Sequence, residues 1–175
     1  MVVKTEPVKE PASTTAGTPA ETFRVPSQSM APGLTVGDEV TVRAYGSTAP
    51  KVGDVVVFHP PAGAERNECG TAPPPGSACP ESTPERSATL FIKRVVAVAG
   101  DRLAIRRGRV YVNGTERDPW KIAPDAVCGI CNLPVSIRVP VGSVYVLGDN
   151  RGESADSREW GPVRVGWIVG KVETP

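Results

Sequence analysis

Apolar residues in this chain gather into strand-length runs separated by Gly, Pro and Asp, and no stretch holds a helical apolar period. Glu39-Val40-Thr41-Val42-Arg43 alternates polar and apolar, which predicts a strand with one packed face and one wet face. Val55-Val56-Val57-Phe58 is apolar at every position and predicts a central strand, entered by a turn at Lys51 to Asp54 and stopped by His59-Pro60-Pro61. Thr89 to Val98 predicts a second strong strand, ended by Gly100-Asp101. A hairpin follows: Leu103 to Arg106, a turn at Arg107-Gly108, then Arg109 to Val112 running into the turn pair Asn113-Gly114. Strands resume at Val135 to Val139, Ser143 to Leu147 and Trp167 to Val172. The expected fold class is all-β, built mainly from antiparallel sheets.

Two segments break this pattern. Residues 1–22 are mostly Pro, Thr, Ala, Glu and Lys, with too little apolar surface to offset ordering entropy, and are expected to form a flexible linker. Residues 60–88 are poor in apolar side chains and rich in Pro, Gly and Ser, which predicts a long surface loop.

The length of 175 residues allows one domain with a sizeable core, or a core and a small subdomain. Twenty Lys and Arg against 19 Asp and Glu leave no basic excess, which argues against nucleic acid as a partner. The apolar runs are strand-sized, well short of the roughly 20 residues of a membrane span, and no signal-peptide h-region follows Met1. Four cysteines form two local sets, Cys69 with Cys79 and Cys128 with Cys131. Four cysteines allow three pairings, and spacing does not choose among them. Only Cys128-Gly129-Ile130-Cys131 has knuckle spacing, and no βαβ pattern surrounds it, so disulfides in an oxidising compartment are expected ahead of zinc or a thioredoxin-like centre.

Candidate chemistry centres on Ser29 and Lys93. Lys93 stands in an apolar strand between Phe91-Ile92 and Val95-Val96. A solvent-facing lysine is the ordinary alternative. Burial would disfavour the ammonium and bring the pKa from about 10.4 toward about 7–8, the range of a working general base. A serine hydroxyl is a weak nucleophile until such a base takes its proton, and Ser with neutral Lys is a complete nucleophile–base pair. His59, the single histidine, sits at a strand end before two prolines, where a turn role fits better than catalysis. No spacing picks out paired carboxylates, and no phosphate loop is present. The polar run Gly148 to Arg158 mixes hydroxyls with both charge signs, and its Ser154 is a candidate to hydrogen-bond the Lys93 amine and aim it at Ser29.

Three separated stretches, Pro26-Ser27-Gln28-Ser29-Met30-Ala31-Pro32, Phe91 to Asp101 and Gly148 to Arg158, resemble the signature boxes of bacterial type I signal peptidases, the serine–lysine membrane-bound proteases. Val36-Gly37-Asp38 and Val52 to Phe58 resemble the strand boxes between them, and the likeness runs from about Phe23 to Val172. It implies a Ser29 nucleophile, a Lys93 general base, an oxyanion hole made by the Ser29 N–H and the Ser27 hydroxyl, and a Lys93-orienting Ser154. It further implies structural ion pairs of Asp149 with Arg94 and Asp156 with Arg158, with no metal and no cofactor.

The fold implied is a signal-peptidase-like β architecture, with a catalytic core from residues 23–105 and 141–175 and an inserted β subdomain at 106–140. The function implied is removal of signal peptides from secretory preproteins after small residues at −1 and −3, by a monomer at the membrane surface on the extracytoplasmic side. Two departures stand out. Gly33 follows Pro32 where the family has Thr, which is expected to loosen the nucleophile's loop. The Pro/Thr tail stands where the family has its membrane anchor, so the anchor is expected to be absent from this chain. The rivals are a Ser–Lys protease that matures one dedicated partner and a non-catalytic β module that binds preproteins or cell-wall material. Self-cleavage is disfavoured, because the upstream Ala16-Gly17 lies in a tail too short for a DNA-binding domain.

Overall fold

A computed structural model of the chain describes residues 3–4, 20–117, 128 and 130–173. Among these the strands are β1 (Val3–Lys4), β2 (Ala20–Arg24), β3 (Glu39–Arg43), β4 (Val55–Phe58), β5 (Phe91–Val98), β6 (Arg102–Arg106), β7 (Arg109–Val112), β8 (Thr115–Glu116), β9 (Leu133–Arg138), β10 (Ser143–Leu147), β11 (Val163–Arg164) and β12 (Ile168–Val172). A single short helix, α1 (Ser157–Trp160), and a few 3-10 turns complete the described residues. The all-β expectation holds.

Eight strands form one sheet in the order β1-β2-β3-β12-β4-β5-β10-β11, and four form a second in the order β8-β7-β6-β9. Every pairing within the sheets is antiparallel. Alternation in Glu39–Arg43 becomes alternating exposure, with Val40 and Val42 buried. The unbroken apolar run of β4 lies between β12 and β5, where both of its faces are covered. Lys93 pairs with Val56 across β4–β5 and Leu147 pairs with Arg94 across β5–β10, so the lysine sits well inside the larger sheet.

Three apolar clusters fix this frame. Phe23, Val25, Met30, Val57 and Ile92 fill one. Phe58, Phe91, Val95, Val146 and Trp160 fill a second, where the Phe58, Phe91 and Trp160 rings have centroids 6.1 to 6.4 Å apart. The third joins the sheets, with Val96, Tyr145 and Leu147 packed against Leu103, Ile105 and Ile137.

Two boundaries differ from expectation. The second sheet starts at Arg102, ahead of residue 106, because Leu103 and Ile105 pair with both β7 and β9 and the hairpin cannot be divided. Within the 1–22 tail, Val3 and Lys4 pair with Arg24 and Phe23, and β2 already begins at Ala20; residues 5–19 lie outside the described residues. That backbone is tied to the sheet edge by ladder hydrogen bonds, which need no apolar side chains. Disulfides join Cys69 to Cys79 and Cys128 to Cys131. Among the described residues no helix is long and apolar enough to cross a membrane, and no group of His, Cys, Asp and Glu could hold a metal ion.

Candidate active site

Ser29 is held by a one-turn 3-10 segment, Gln28–Met30, that follows an extended Ser27. The Ala31 N–H donates to the Gln28 carbonyl at 3.0 Å and the Leu34 N–H to the Met30 carbonyl at 2.9 Å, closing the turn on both sides. Met30 is fully buried in the cluster that contains Ile92, and this anchor turns Ser29 toward β5. The Ala31–Pro32 peptide is cis. Gly33 does not leave the loop slack, as the sequence suggested. A Cβ there would lie 3.0 Å from Asp149 Oδ2, so the missing side chain lets the loop close against that carboxylate.

Lys93 is 3% exposed, and its Nζ lies 2.7 Å from Ser29 Oγ. The amine also donates to its neighbour's carbonyl, Ile92 O, at 3.1 Å. Burial is the main reason its pKa falls, to about 8; Arg158 pushes the same way, while Asp156 and Asp149 oppose. The Ser27 hydroxyl, half-buried, donates to Ser29 Oγ at 3.3 Å. Ser27, Ser29 and Lys93 therefore meet in one place, with an amine whose pKa burial lowers to about 8.

The polar run leaving β10 supports this group through backbone and side chain together. The Asn150 N–H donates to the Ser29 carbonyl at 3.1 Å. Gly148 touches the same carbonyl from another side: a Cβ on it would stand 2.4 Å from Ser29 O and 2.3 Å from Ser154 Oγ. The Gly148 N–H donates to Asp156 Oδ2 at 3.1 Å, and Arg151 Nε donates to the Gly148 carbonyl at 3.0 Å.

Both expected ion pairs form. Arg94 grips Asp149 with two parallel bonds, 2.8 and 2.7 Å, and spends Nη1 on the Gly53 carbonyl at 2.9 Å. Asp156 and Arg158 have side chains with no exposed surface. Arg158 makes bonds of 2.8 and 2.9 Å to the two carboxylate oxygens, and further bonds to the carbonyls of Arg151 and Ser154. Burial would raise the Asp156 pKa, but the Arg158 charge and hydrogen bonds hold it below its ordinary value. Asp156 also caps α1, accepting from the Arg158 N–H.

One expected contact is not made. Ser154 Oγ is buried and has no hydrogen-bond partner, so it does not bond the Lys93 amine. The hydroxyl is turned onto Gly148. The sequence reading missed Gly148, Asn150 and Arg151 as members of the site. Gly148 had a usable signal, since a glycine directly after an apolar strand marks close backbone approach. His59 stays out of the chemistry, with its Nδ1 against the carbonyls of Ser87 and Thr89 at 3.1 and 3.0 Å.

The signature of the family described as Signal peptidase, peptidase S26, matches residues 12–175. The chain is 36% identical over 147 residues to a probable signal peptidase I-1 of Synechocystis sp., covering 81% of this chain and 63% of that protein. It is 36% identical over 156 residues to the chloroplast thylakoidal processing peptidase 1 of Arabidopsis thaliana, covering 87% of this chain and 40% of the relative. With signal peptidase I of Leptolyngbya laminosa the identity is 34% over 156 residues, 87% of this chain and 66% of that protein. The chain thus spans 40% to 66% of the length of these relatives. With the family signature running from residue 12 to residue 175, this chain belongs to the signal peptidase family, peptidase S26.

Proposed function

We propose that the chain is a serine endopeptidase that removes signal peptides from secretory preproteins, using Ser29 as nucleophile and Lys93 as general base. The observation that carries this reading is a buried amine 2.7 Å from a serine hydroxyl, with its pKa lowered by burial to about 8. Neutral Lys93 takes the Ser29 proton as Oγ attacks the scissile carbonyl. The ammonium then returns that proton to the leaving amine, and the freed amine activates the water that releases the acyl group. The Ser29 N–H and the Ser27 hydroxyl hold the oxyanion, where a single donor can contribute about 10²–10³ in rate. Ser154 acts as a positioning residue. Its buried hydroxyl, unpartnered in the resting site, takes up the ammonium once Ser29 is acylated. Arg94 with Asp149 and Asp156 with Arg158 hold the backbone that touches Ser29.

In this reading the second sheet, β6 to β9, belongs to the inserted subdomain, and the larger sheet from β2 onward to the catalytic core. The enzyme works as a monomer at the membrane surface on the extracytoplasmic side, without metal or cofactor. The names of the relatives support signal peptides as the substrate class.

Cleavage of a synthetic peptide spanning an Ala-x-Ala signal site, in lipid or detergent and read by mass spectrometry, tests this. A cut after the −1 Ala, lost when −1 or −3 is made bulky, is the expected result. Intact peptide with a well-folded chain would instead favour a dedicated partner or a binding module.

A further inference from the structure

The Cys128-x-x-Cys131 pair has no part in the chemistry above, yet it lies against the site's buried ion pair. Arg158 Nη1 is 3.3 Å from Cys131 Sγ and 3.5 Å from Cys128 Sγ. Cys131 is buried, whereas Cys128 is half-buried and lines a surface cleft of about 410 Å³ with Asn67, Arg151, Glu153, Ser154 and Glu159. The cleft thus reaches Cys128 and not Cys131, while the Arg158 guanidinium lies against both sulfurs and nearer to Cys131.

We propose that Cys128–Cys131 is a thiol–disulfide exchange site, and that its reduction by a dithiol loosens Arg158 and slows the Ser29–Lys93 pair. A thiolate of the dithiol attacks Cys128 Sγ in the cleft, the disulfide bond breaks, and Cys131 leaves as a thiolate beside the Arg158 guanidinium. The dithiol's second thiol then displaces Cys128. Two electrons pass to the protein, the dithiol becomes a disulfide, and its two protons go to the released sulfurs or to solvent. A cation next to the departing sulfur lowers its pKa and makes it a better leaving group. The other disulfide lacks this arrangement, because Cys69 Sγ is 2.8 Å from the Thr71 carbonyl and Cys79 Sγ 3.0 Å from the Glu81 carbonyl, which oppose thiolate charge.

The consequence reaches the site through contacts already described. A Cys131 thiolate competes with Asp156 for Arg158, and Asp156 holds the Gly148 N–H beside the Ser29 carbonyl. The charges that act on Lys93 are Asp156, Arg158 and Asp149, the last paired with Arg94. Added negative charge at Arg158 favours the ammonium and withdraws the free base.

The activity readout rests on the peptidase reading; the exchange readout does not. The oxidised full chain is titrated with dithiothreitol, new thiols are alkylated and located by mass spectrometry, and Ala-x-Ala peptide turnover is followed against pH. Amide hydrogen exchange of residues 148–158 is measured on the same samples. Cys128 and Cys131 should label before Cys69 and Cys79. Turnover at pH 7 should fall about tenfold as the acid limb moves up by about one pH unit, and reoxidation should restore it. The Cys128→Ser/Cys131→Ser double variant should not respond to dithiol. Labelling of Cys128 and Cys131 with an unchanged limb and unchanged exchange would overturn the proposal, as would earlier labelling of Cys69 and Cys79. If the oxidised chain cuts no peptide, the peptidase reading falls, and exchange at 148–158 decides this proposal alone: faster exchange on reduction supports it and unchanged exchange refutes it.

Discussion

The backbone N–H of Asn150 donates to the carbonyl of Ser29, so the peptide group of the proposed nucleophile is held by the polar run that leaves β10. Gly148 packs against that same carbonyl. The run therefore fixes the height of Ser29 over Lys93 by backbone contact, and its charged residues act by keeping this backbone in place.

A methyl group on Gly148 has nowhere to go, because it would meet Ser29 O at 2.4 Å and Ser154 Oγ at 2.3 Å. Overpacking of this kind costs about 1–3 kcal/mol, and a shift of about 1 Å at a reacting atom can cost roughly 10²-fold in rate. Gly148→Ala should lower kcat by about 10²-fold with a modest fall in Tm. Gly166→Ala, where a Cβ meets nothing within 4 Å, should leave both unchanged. Peptide turnover and thermal melts of the two variants provide the check.

The low pKa of Lys93 sets the pH profile. In the proposed mechanism the reactive form is the neutral amine, so kcat/KM should rise with pH through a limb near pH 8. Stability follows the same linkage. Lys93 has a folded pKa below its unfolded value of 10.5, so the unfolded chain binds more protons between about 8 and 10.5, and stability should rise across that window. At pH 7 the folded protein bears the cost of a buried ammonium. Lys93→Met removes that cost with similar volume, and should abolish turnover while leaving Tm equal or higher. A marked fall in Tm would count against burial as the cause of the shift.

Asp149 is nearly fully buried and relies on the two-pronged grip of Arg94. Removing one partner of a buried pair leaves an uncompensated charge and costs about 3–5 kcal/mol. Arg94→Ala should destabilise by about that amount, and adding Asp149→Ala should restore part of it. Arg94→Lys keeps the charge but loses the planar fork, so it should fall between wild type and Arg94→Ala. Denaturant unfolding of wild type, Arg94→Ala, Asp149→Ala and the double variant forms a double-mutant cycle that reads the coupling directly.

Much of this is legible in the sequence. Period-two patterning located β3, and an unbroken apolar run located β4 as a central strand, because side-chain burial is written locally in a strand. Ser29 and Lys93 could be picked out because a lysine inside an apolar strand demands an explanation. The pairing of Val3–Lys4 with β2 was hidden, since an edge strand joined through backbone bonds needs no apolar signature. Helix α1 is four residues long, too short to show a period. Ser154 was placed near the site, but its rotation onto Gly148 depends on a contact six residues back that composition does not express. The same holds for Arg151, whose bond to the Gly148 carbonyl closes a turn.

The central claim is that Ser29 becomes covalently acylated with Lys93 as its base. Rapid mixing with an Ala-x-Ala peptide ester, acid quench and mass spectrometry of the proteolysed chain test it most directly. An acyl adduct should appear on the peptide that contains Ser29, formed in a burst at pH 8, absent from Ser29→Ala and not accumulating in Lys93→Ala. Cleavage that proceeds without an adduct, or that survives in Ser29→Ala, would contradict it.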